Sequence, residues 1–106
     1  AQMKEIESQC YGYFHKAALM RDANALVNLG TCYQRGIGCT ADLVLAFRCF
    51  KTAADLGHPE ATDYVSACYQ FGHGVEKDDA TSLFWAMRGR AMRGDEAAAK
   101  WLKERK

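Results

Sequence analysis

Apolar side chains recur every three or four residues along most of the chain, which is the spacing of one face of an α-helix. The first such segment runs from about Lys4 to Leu19, and the second runs from about Ala23 to Arg35. A third begins after Asp42, whose side chain is suited to cap a helix N-terminus, and it stops at Gly57. The pattern predicts antiparallel helical hairpins and no sheet.

The same order of helical segments and capping residues repeats in the second half of the chain. Pro59 fits the first turn of a fourth helix, and Asp78 takes the place of Asp42 before a fifth. With a last segment from Asp95 to Lys106, the sequence predicts six helices. Gly89 lies inside the fifth helix, where glycine costs about 1 kcal/mol relative to alanine. It indicates a kink in this helix, or the point at which the second copy of the pattern carries one residue more than the first.

The turns between helices carry a repeated glycine pattern. Residues 33–38 (YQRGIG) return as residues 69–74 (YQFGHG), at a spacing of 36 residues. A recurrence of this length is typical of stacked supersecondary units. In each copy the first glycine suits a left-handed C-cap, and the second suits a positive φ or a close backbone approach. A nucleotide-binding loop is not indicated, because no third glycine follows at the required spacing and no strand precedes the pattern.

The composition fits one small domain of helices joined by short turns. The chain has 106 residues, 49% of them hydrophobic, with one proline and nine glycines. Its formal net charge of +1 gives no indication of a nucleic-acid-binding surface. No apolar run approaches the roughly 20 residues of a membrane-spanning helix, so membrane insertion is not expected.

Five cysteines raise the choice between core thiols, a disulfide and a metal site. Cys32 and Cys68 share one repeat position, and Cys10 aligns with small residues, so buried thiols are the favoured interpretation. The odd number argues against complete pairing and favours a reducing compartment such as the cytoplasm. One disulfide remains an alternative. A zinc site is not expected, because no Cys-x-x-Cys occurs and the three histidines occupy unlike positions.

Catalytic motifs are missing from the sequence. It contains no Ser-x-x-Lys, His-Glu-x-x-His or Gly-x-Ser-x-Gly. The candidate nucleophiles are Cys49 and Cys68, beside His58 or His73, but both cysteines stand at apolar repeat positions and a buried thiol is inert. The sequence therefore predicts no enzyme, no catalytic residue and no cofactor.

One series of small, aromatic and acidic residues consists of Ala25, Leu29, Gly30, Tyr33, Gly36, Gly38, Asp42, Ala46, Ala53, Ala54, Gly57 and Ala61. This series resembles the Sel-one-like repeat, a branch of the tetratricopeptide-like α-solenoids. The resemblance covers a single repeat domain: the second helix of a preceding repeat in 1–24, full units at 25–60 and 61–97, and a capping or further first helix at 98–106. Ser66 replaces the usual glycine, and one residue is inserted near 85–90.

The resemblance implies an all-α fold, an α-α superhelix in which each hairpin covers the apolar surface of the next. It also implies a non-catalytic scaffold or adaptor, which binds a peptide or partner protein on a concave face lined by the first helix of each unit. The alternative is a cysteine-rich assembly factor with a redox or metal-linked role, resembling mitochondrial members of the family.

The predicted partner-binding surface consists of the positions between the packing residues of the first helices. These positions are Asn24, Val27, Thr31, Gln34 and Arg35 in one unit, and Glu60, Asp63, Ala67, Gln70 and Phe71 in the next. Gln34 and Gln70 recur in register, which suits binding of an extended peptide backbone. Phe71 stands where Arg35 does, and an exposed aromatic beside a cation is typical of an interface anchor. The two acidic residues next to Arg35 predict a peptide of mixed charge.

The two ends of the chain differ in polarity. The last helix is charged at Lys100 and Lys103, which suits a solvent-facing cap, whereas the first helix offers Ile6, Tyr13 and Phe14. An uncovered end of a repeat array exposes its stacking surface unless that surface is polar. We therefore expect either further repeats upstream in a longer protein or weak self-association through residues Met3 to Leu19.

Overall fold

The computed structural model describes residues 12–104, and its regular structure is entirely helical. The six helices are α1 (12–19), α2 (Ala23–Arg35), α3 (Leu43–Asp55), α4 (Pro59–Phe71), α5 (Asp79–Met92) and α6 (Glu96–Glu104). The predicted helices and the absence of strands are confirmed for this part of the chain. The predicted start of the first helix, before residue 12, and the last two residues of the sixth lie outside the described residues.

The helices stack in chain order. Helix α2 packs against α3, α3 against α4, α4 against α5, and α5 against α6. The molecule is elongated, with principal extents of 52 × 28 × 19 Å. This is the predicted α-solenoid, in which each helix finds its partners among its neighbours along the chain. The hydrophobic core extends along the stack between successive helices, and Leu26, Phe50 and Val65 are among its most deeply buried side chains.

The repeated glycines form matching turns after α2 and α4. Gly36 and Gly72 are left-handed C-caps with φ of 71° and 72°, and their N–H groups donate to the carbonyls of Cys32 and Cys68. The second glycines, Gly38 and Gly74, also have positive φ. A Cβ on Gly74 would collide with the carbonyl oxygen of Leu43, so this turn packs against the start of α3. Both predicted uses of the second glycine, positive φ and close approach, therefore occur.

Side-chain caps begin the helices after the turns. Asp42 accepts from the N–H of Leu45 at 3.1 Å, and Asp78 accepts from the N–H of Thr81 at 3.1 Å, as the sequence predicts. The hydroxyl of Thr81 also donates to Asp78, which lowers the pKa of that carboxyl below its usual value. The cap of α4 is instead His58, whose Nδ1 accepts from the N–H of Ala61 at 3.2 Å.

In the first complete unit, α2 and α3 approach closely at Gly30. A Cβ at this position would lie 2.7 Å from the Phe50 ring. Phe50 is 1% exposed and stacks on Tyr64 of α4, with ring centroids 4.5 Å apart, so surrounding atoms hold it in place. The glycine is therefore needed because the partner helix fills the space where its side chain would be.

In the second unit the close approach lies on the opposite helix. A Cβ on Gly89 of α5 would collide with the hydroxyl of Thr62 on α4, and Thr62 is fully buried. Helix α5 runs unbroken through Gly89 and has 14 residues, against 13 in α3. The inserted residue is thus accommodated as one more residue of helix. The close contact, which the sequence did not predict, accounts for a glycine within it.

Ser66 stands at the repeat position of Gly30 and takes part in a reciprocal contact. Its hydroxyl donates to the carbonyl of Ser82 at 2.8 Å, and the hydroxyl of Ser82 donates to the carbonyl of Ser66 at 2.8 Å. The two hydroxyl oxygens are 2.9 Å apart. Ser82 occupies the position of Ala46, so two small polar residues replace glycine and alanine together. Their hydrogen bonds satisfy polar groups that would otherwise be costly to bury between helices.

The turn geometry predicts unequal effects of valine at neighbouring positions. Gly36→Val and Gly72→Val should each destabilise the fold by roughly 1–3 kcal/mol, because a β-branched residue is strained at positive φ. The matched controls, Ile37→Val and His73→Val, alter exposed side chains beside these glycines and should cost less. Urea unfolding of the four variants measures the difference. Equal losses at the glycine and control positions would contradict the role of positive φ.

Candidate partner-binding surface

The ten predicted binding residues lie on α2 and α4, and none of them is buried. Val27, Thr31 and Ala67 are half-buried, and the other seven are exposed. The residues between them, such as Leu26, Leu29 and Val65, are buried in the core. The helical spacing thus separates a packing side from a solvent-accessible side on each first helix. Their role in binding stays a prediction.

The C-terminal ends of α2 and α4 present exposed side chains at matching repeat positions. Gln34 and Arg35 are exposed at the end of α2, and Gln70 and Phe71 are exposed at the same repeat positions of α4. The Phe71 side chain is 62% exposed, and its ring centroid lies 5.7 Å from that of His73. A large apolar side chain in this position can be covered by a ligand without disturbing the core.

The N-terminal ends of the same helices are tied to each other and to α5. The Oδ1 of Asn24 lies 2.9 Å from the Nε2 of His58. Because Nδ1 of His58 accepts at the helix cap, Nε2 carries the proton and donates to Asn24. This contact connects the start of α2 with the start of α4. It therefore gives His58 and Asn24 a role in joining consecutive units.

One acidic residue of α4, Asp63, forms an ion pair with the C-cap residue of α5. Asp63 forms an ion pair of 2.9 Å with Arg93 at the end of α5, and this hydrogen bond raises the pKa of the Arg93 guanidinium. Arg35 lies eight residues beyond the repeat equivalent of Asp63, which is about 12 Å along a helix. Asp63 therefore pairs with Arg93, a contact that the sequence did not predict.

The sequence analysis did not predict the roles of His58 and Arg93, and repeat alignment could have found that of His58. His58 occupies the repeat position of Asp22, which caps α2 by accepting from the N–H of Ala25 at 3.0 Å. The shared position indicates a shared capping role. Arg93 gave no such signal, because its contact with Asp63 joins residues that are 30 apart along the chain.

The described cysteines carry thiols rather than disulfides, and these thiols lie in or near the core. Cys39, Cys49 and Cys68 are buried and Cys32 is half-buried, while Cys10 lies outside the described residues. Burial raises the pKa of Cys49 to about 12, with smaller contributions from Cys39 and Cys32. Burial also raises the pKa of Cys68 to about 11. Such thiols are almost entirely protonated at neutral pH, and a protonated thiol is a poor nucleophile and metal ligand.

Residues 12–104 contain neither a cluster of metal-ligating side chains nor a membrane-spanning helix. No group of three or more His, Cys, Asp or Glu side chains in this range is arranged to hold a metal ion. No helix in the same range is long and apolar enough to cross a membrane.

Comparison with known proteins assigns the chain to a repeat family. The Sel1 repeat family model matches residues 7–22, 23–58 and 59–86. A crystal structure of a Sel1 repeat protein from Oxalobacter formigenes is similar, with 29% sequence identity and a TM-score of 0.70. The similarity covers 84% of this chain but 36% of that chain, so this protein spans about a third of the length of that relative. No curated protein sequence matches the chain. The matched repeats and the helical stack show that the chain belongs to the Sel1 repeat family.

Proposed function

We propose that this protein is a non-catalytic scaffold or adaptor, and that it binds a peptide or a partner protein along the exposed side of α2 and α4. Sel1 repeats are generally protein-protein interaction modules. The observation that carries the proposal is the exposure of Phe71 beside Gln70, at the positions where α2 presents Arg35 and Gln34. Aromatic and arginine side chains are enriched among the residues that dominate binding energy.

The two glutamines supply the polar part of the proposed interface. Each carries an amide that can both donate and accept, which matches the alternating groups of an extended peptide backbone. Both are exposed, so neither must break a core contact before it binds. The peptide would lie across the ends of α2 and α4, with its backbone on the amides and an apolar side chain on Phe71.

The charges nearby favour a peptide of mixed character. Arg35 is exposed at one end of the surface. Glu60 and Asp63 lie near the other end, where Arg93 offsets part of their charge. A uniformly acidic or basic ligand would meet like charge at one of these ends.

The test uses peptides selected from a random display library against the wild-type protein. Phe71→Ala and Arg35→Glu should each weaken the selected peptides at least about tenfold, as expected for central interface residues. Leu83→Ala and Arg48→Glu are matched controls, because they change an exposed apolar residue on α5 and an exposed arginine on α3. Fluorescence anisotropy measures the affinities, and circular dichroism verifies that all variants are folded. Equal losses in controls and surface variants, or peptides insensitive to both surface variants, would refute the assignment.

The alternative, a cysteine-rich redox or metal-linked assembly factor, predicts accessible and reactive thiols. The raised pKa of Cys49 and of Cys68 argues against that role for these two residues. Cys32 is half-buried and thus more accessible than these two thiols, so it offers an internal reference.

Thiol reactivity separates the two functions. Burial raises the pKa of Cys49 to about 12, so very little of this thiol is ionised at neutral pH. In the native protein, Cys49 and Cys68 should therefore react with maleimide far more slowly than Cys32, and all three should react quickly after unfolding in urea. Mass spectrometry of digested samples assigns the modified sites. Fast native labelling of Cys49 and Cys68, or thiols that stay blocked after unfolding, would support the redox or metal-linked alternative.

A further inference from the structure

The second helices of the two complete units, α3 and α5, carry a group of cations around one buried aromatic ring. Trp85 of α5 is only 6% exposed. The Cζ atom of Arg88 lies 4.5 Å from the ring centroid of Trp85, and the Nζ atom of Lys51 on α3 lies 5.9 Å from it. Arg48, three residues before Lys51 on the same face of α3, adds an exposed cation. We call Arg48, Lys51, Phe84 and Arg88 the cationic patch.

Aromatic contacts hold Arg88 in place. Its Cζ atom also lies 5.8 Å from the ring of Phe84, which is 40% exposed and meets Trp85 edge-on. Among residues 12–104 the Arg88 guanidinium forms no ion pair and no hydrogen bond. A cation-π contact uses the charge of a guanidinium and leaves its N–H groups available. Arg88 can therefore donate to a carboxylate without first breaking a hydrogen bond, and with little further loss of side-chain freedom.

The cationic patch carries more positive than negative charge. Lys51 pairs with Asp55 at 3.1 Å, and these side chains are 45% and 50% exposed. Arg48, like Arg88, has no carboxylate partner within the described part of the chain. By contrast, the two arginines at the end of α5 are each paired with an aspartate. Unmatched positive charge on one surface favours an anionic ligand.

The patch stays accessible within a stack of units. Arg48 takes the repeat position of Phe84, and it is exposed although the unit of α4 and α5 follows it. The Lys51 side chain is 45% exposed with the same unit in place. A further unit after α6 would therefore leave the position of Phe84 accessible, as α4 and α5 leave that of Arg48.

We propose that the cationic patch docks an acidic segment of a partner protein, in which carboxylates lie next to an apolar side chain. The carboxylates accept from the guanidinium groups of Arg48 and Arg88, and the apolar side chain covers the exposed ring of Phe84. Three cations match a short run of Asp or Glu, whereas a nucleic-acid backbone is usually held by more contacts along its length. This surface lies on other helices than the proposed peptide surface of α2 and α4.

The test is fluorescence anisotropy with a labelled synthetic peptide of about ten residues, glutamates around one central leucine, which spans about 33 Å when extended. Binding should weaken as salt rises, because exposed ion pairs are screened. Arg48→Gln and Arg88→Gln should each weaken binding about threefold, and together about tenfold, as expected for exposed pairs of cation and carboxylate. A peptide with serine in place of every glutamate is the ligand control and should not bind.

The emission of Trp85 locates the bound peptide. The chain has two tryptophans, so Trp101→Phe leaves Trp85 as the only one. A carboxylate that binds Arg88 changes the electric field at the indole 4.5 Å away. Saturating peptide should therefore shift the Trp85 emission, and Arg88→Gln should reduce the shift.

The matched controls are Arg21→Gln and Lys100→Gln. They remove the same charge from exposed residues outside α3 and α5, so they should leave the affinity nearly unchanged. Ligands of the α2 and α4 surface should respond to Phe71→Ala and not to Arg48→Glu, whereas the acidic peptide should do the reverse. The two proposals can therefore succeed or fail separately.

Five results would overturn the proposal. They are no binding of the acidic peptide even at low salt, binding that the two arginine variants leave intact, equal weakening by the controls, and an unchanged Trp85 emission at saturation. The fifth is tighter binding of a single-stranded oligonucleotide of similar length with the same dependence on the two arginines, because that result indicates a nucleic-acid surface. Circular dichroism on each variant separates loss of binding from loss of fold.

Discussion

The two helices of each unit approach so closely that one of them has no room for a side chain at the point of contact. In the first complete unit that position is Gly30, against the ring of Phe50. In the second it is Gly89, against Thr62. Since protein interiors are close-packed, a missing side chain on one helix must be matched by a filled space on the other. The stack depends on this matching, because each unit presents its apolar faces to the next.

The second unit also brings its two helices close together, but it does so through different contacts. Ser66 and Ser82 exchange hydrogen bonds where the first unit has Gly30 and Ala46, so the contact remains narrow although it has become polar. Consecutive units are also joined at their edges, where His58 donates to Asn24. The proposed binding surface on α2 and α4 therefore rests on helices that are held together by these contacts, which limits the ordering that a ligand must impose.

The sequence predicts the repeating features of this fold and misses those that occur once. The turn glycines, and the caps at Asp42 and Asp78, depend on local geometry that any copy of the unit needs, so their recurrence reveals them. The role of Gly89 depends on which residue of α4 faces it, and a sequence pattern holds no information on that pairing. The same holds for Arg93 and Asp63. For the candidate site, helical spacing predicts which residues are accessible, but it cannot predict which ligand they bind.

The close-contact account is tested most directly by a double-mutant cycle on Gly89 and Thr62, with unfolding free energies measured in urea. In the wild-type background, Gly89→Ala should destabilise the protein by roughly 1–3 kcal/mol, as overpacking does in tight cores. In a Thr62→Ala background the blocking hydroxyl is gone and the nearest remaining atom is the Cβ of residue 62 at 3.2 Å. The same change should then cost clearly less than in the wild-type background, because the contact is milder and alanine favours a helix over glycine by about 1 kcal/mol. Gly12→Ala, at a helical glycine with no atom within 4 Å of its would-be Cβ, is the reference for that preference. An equal penalty for Gly89→Ala in both backgrounds would contradict the account.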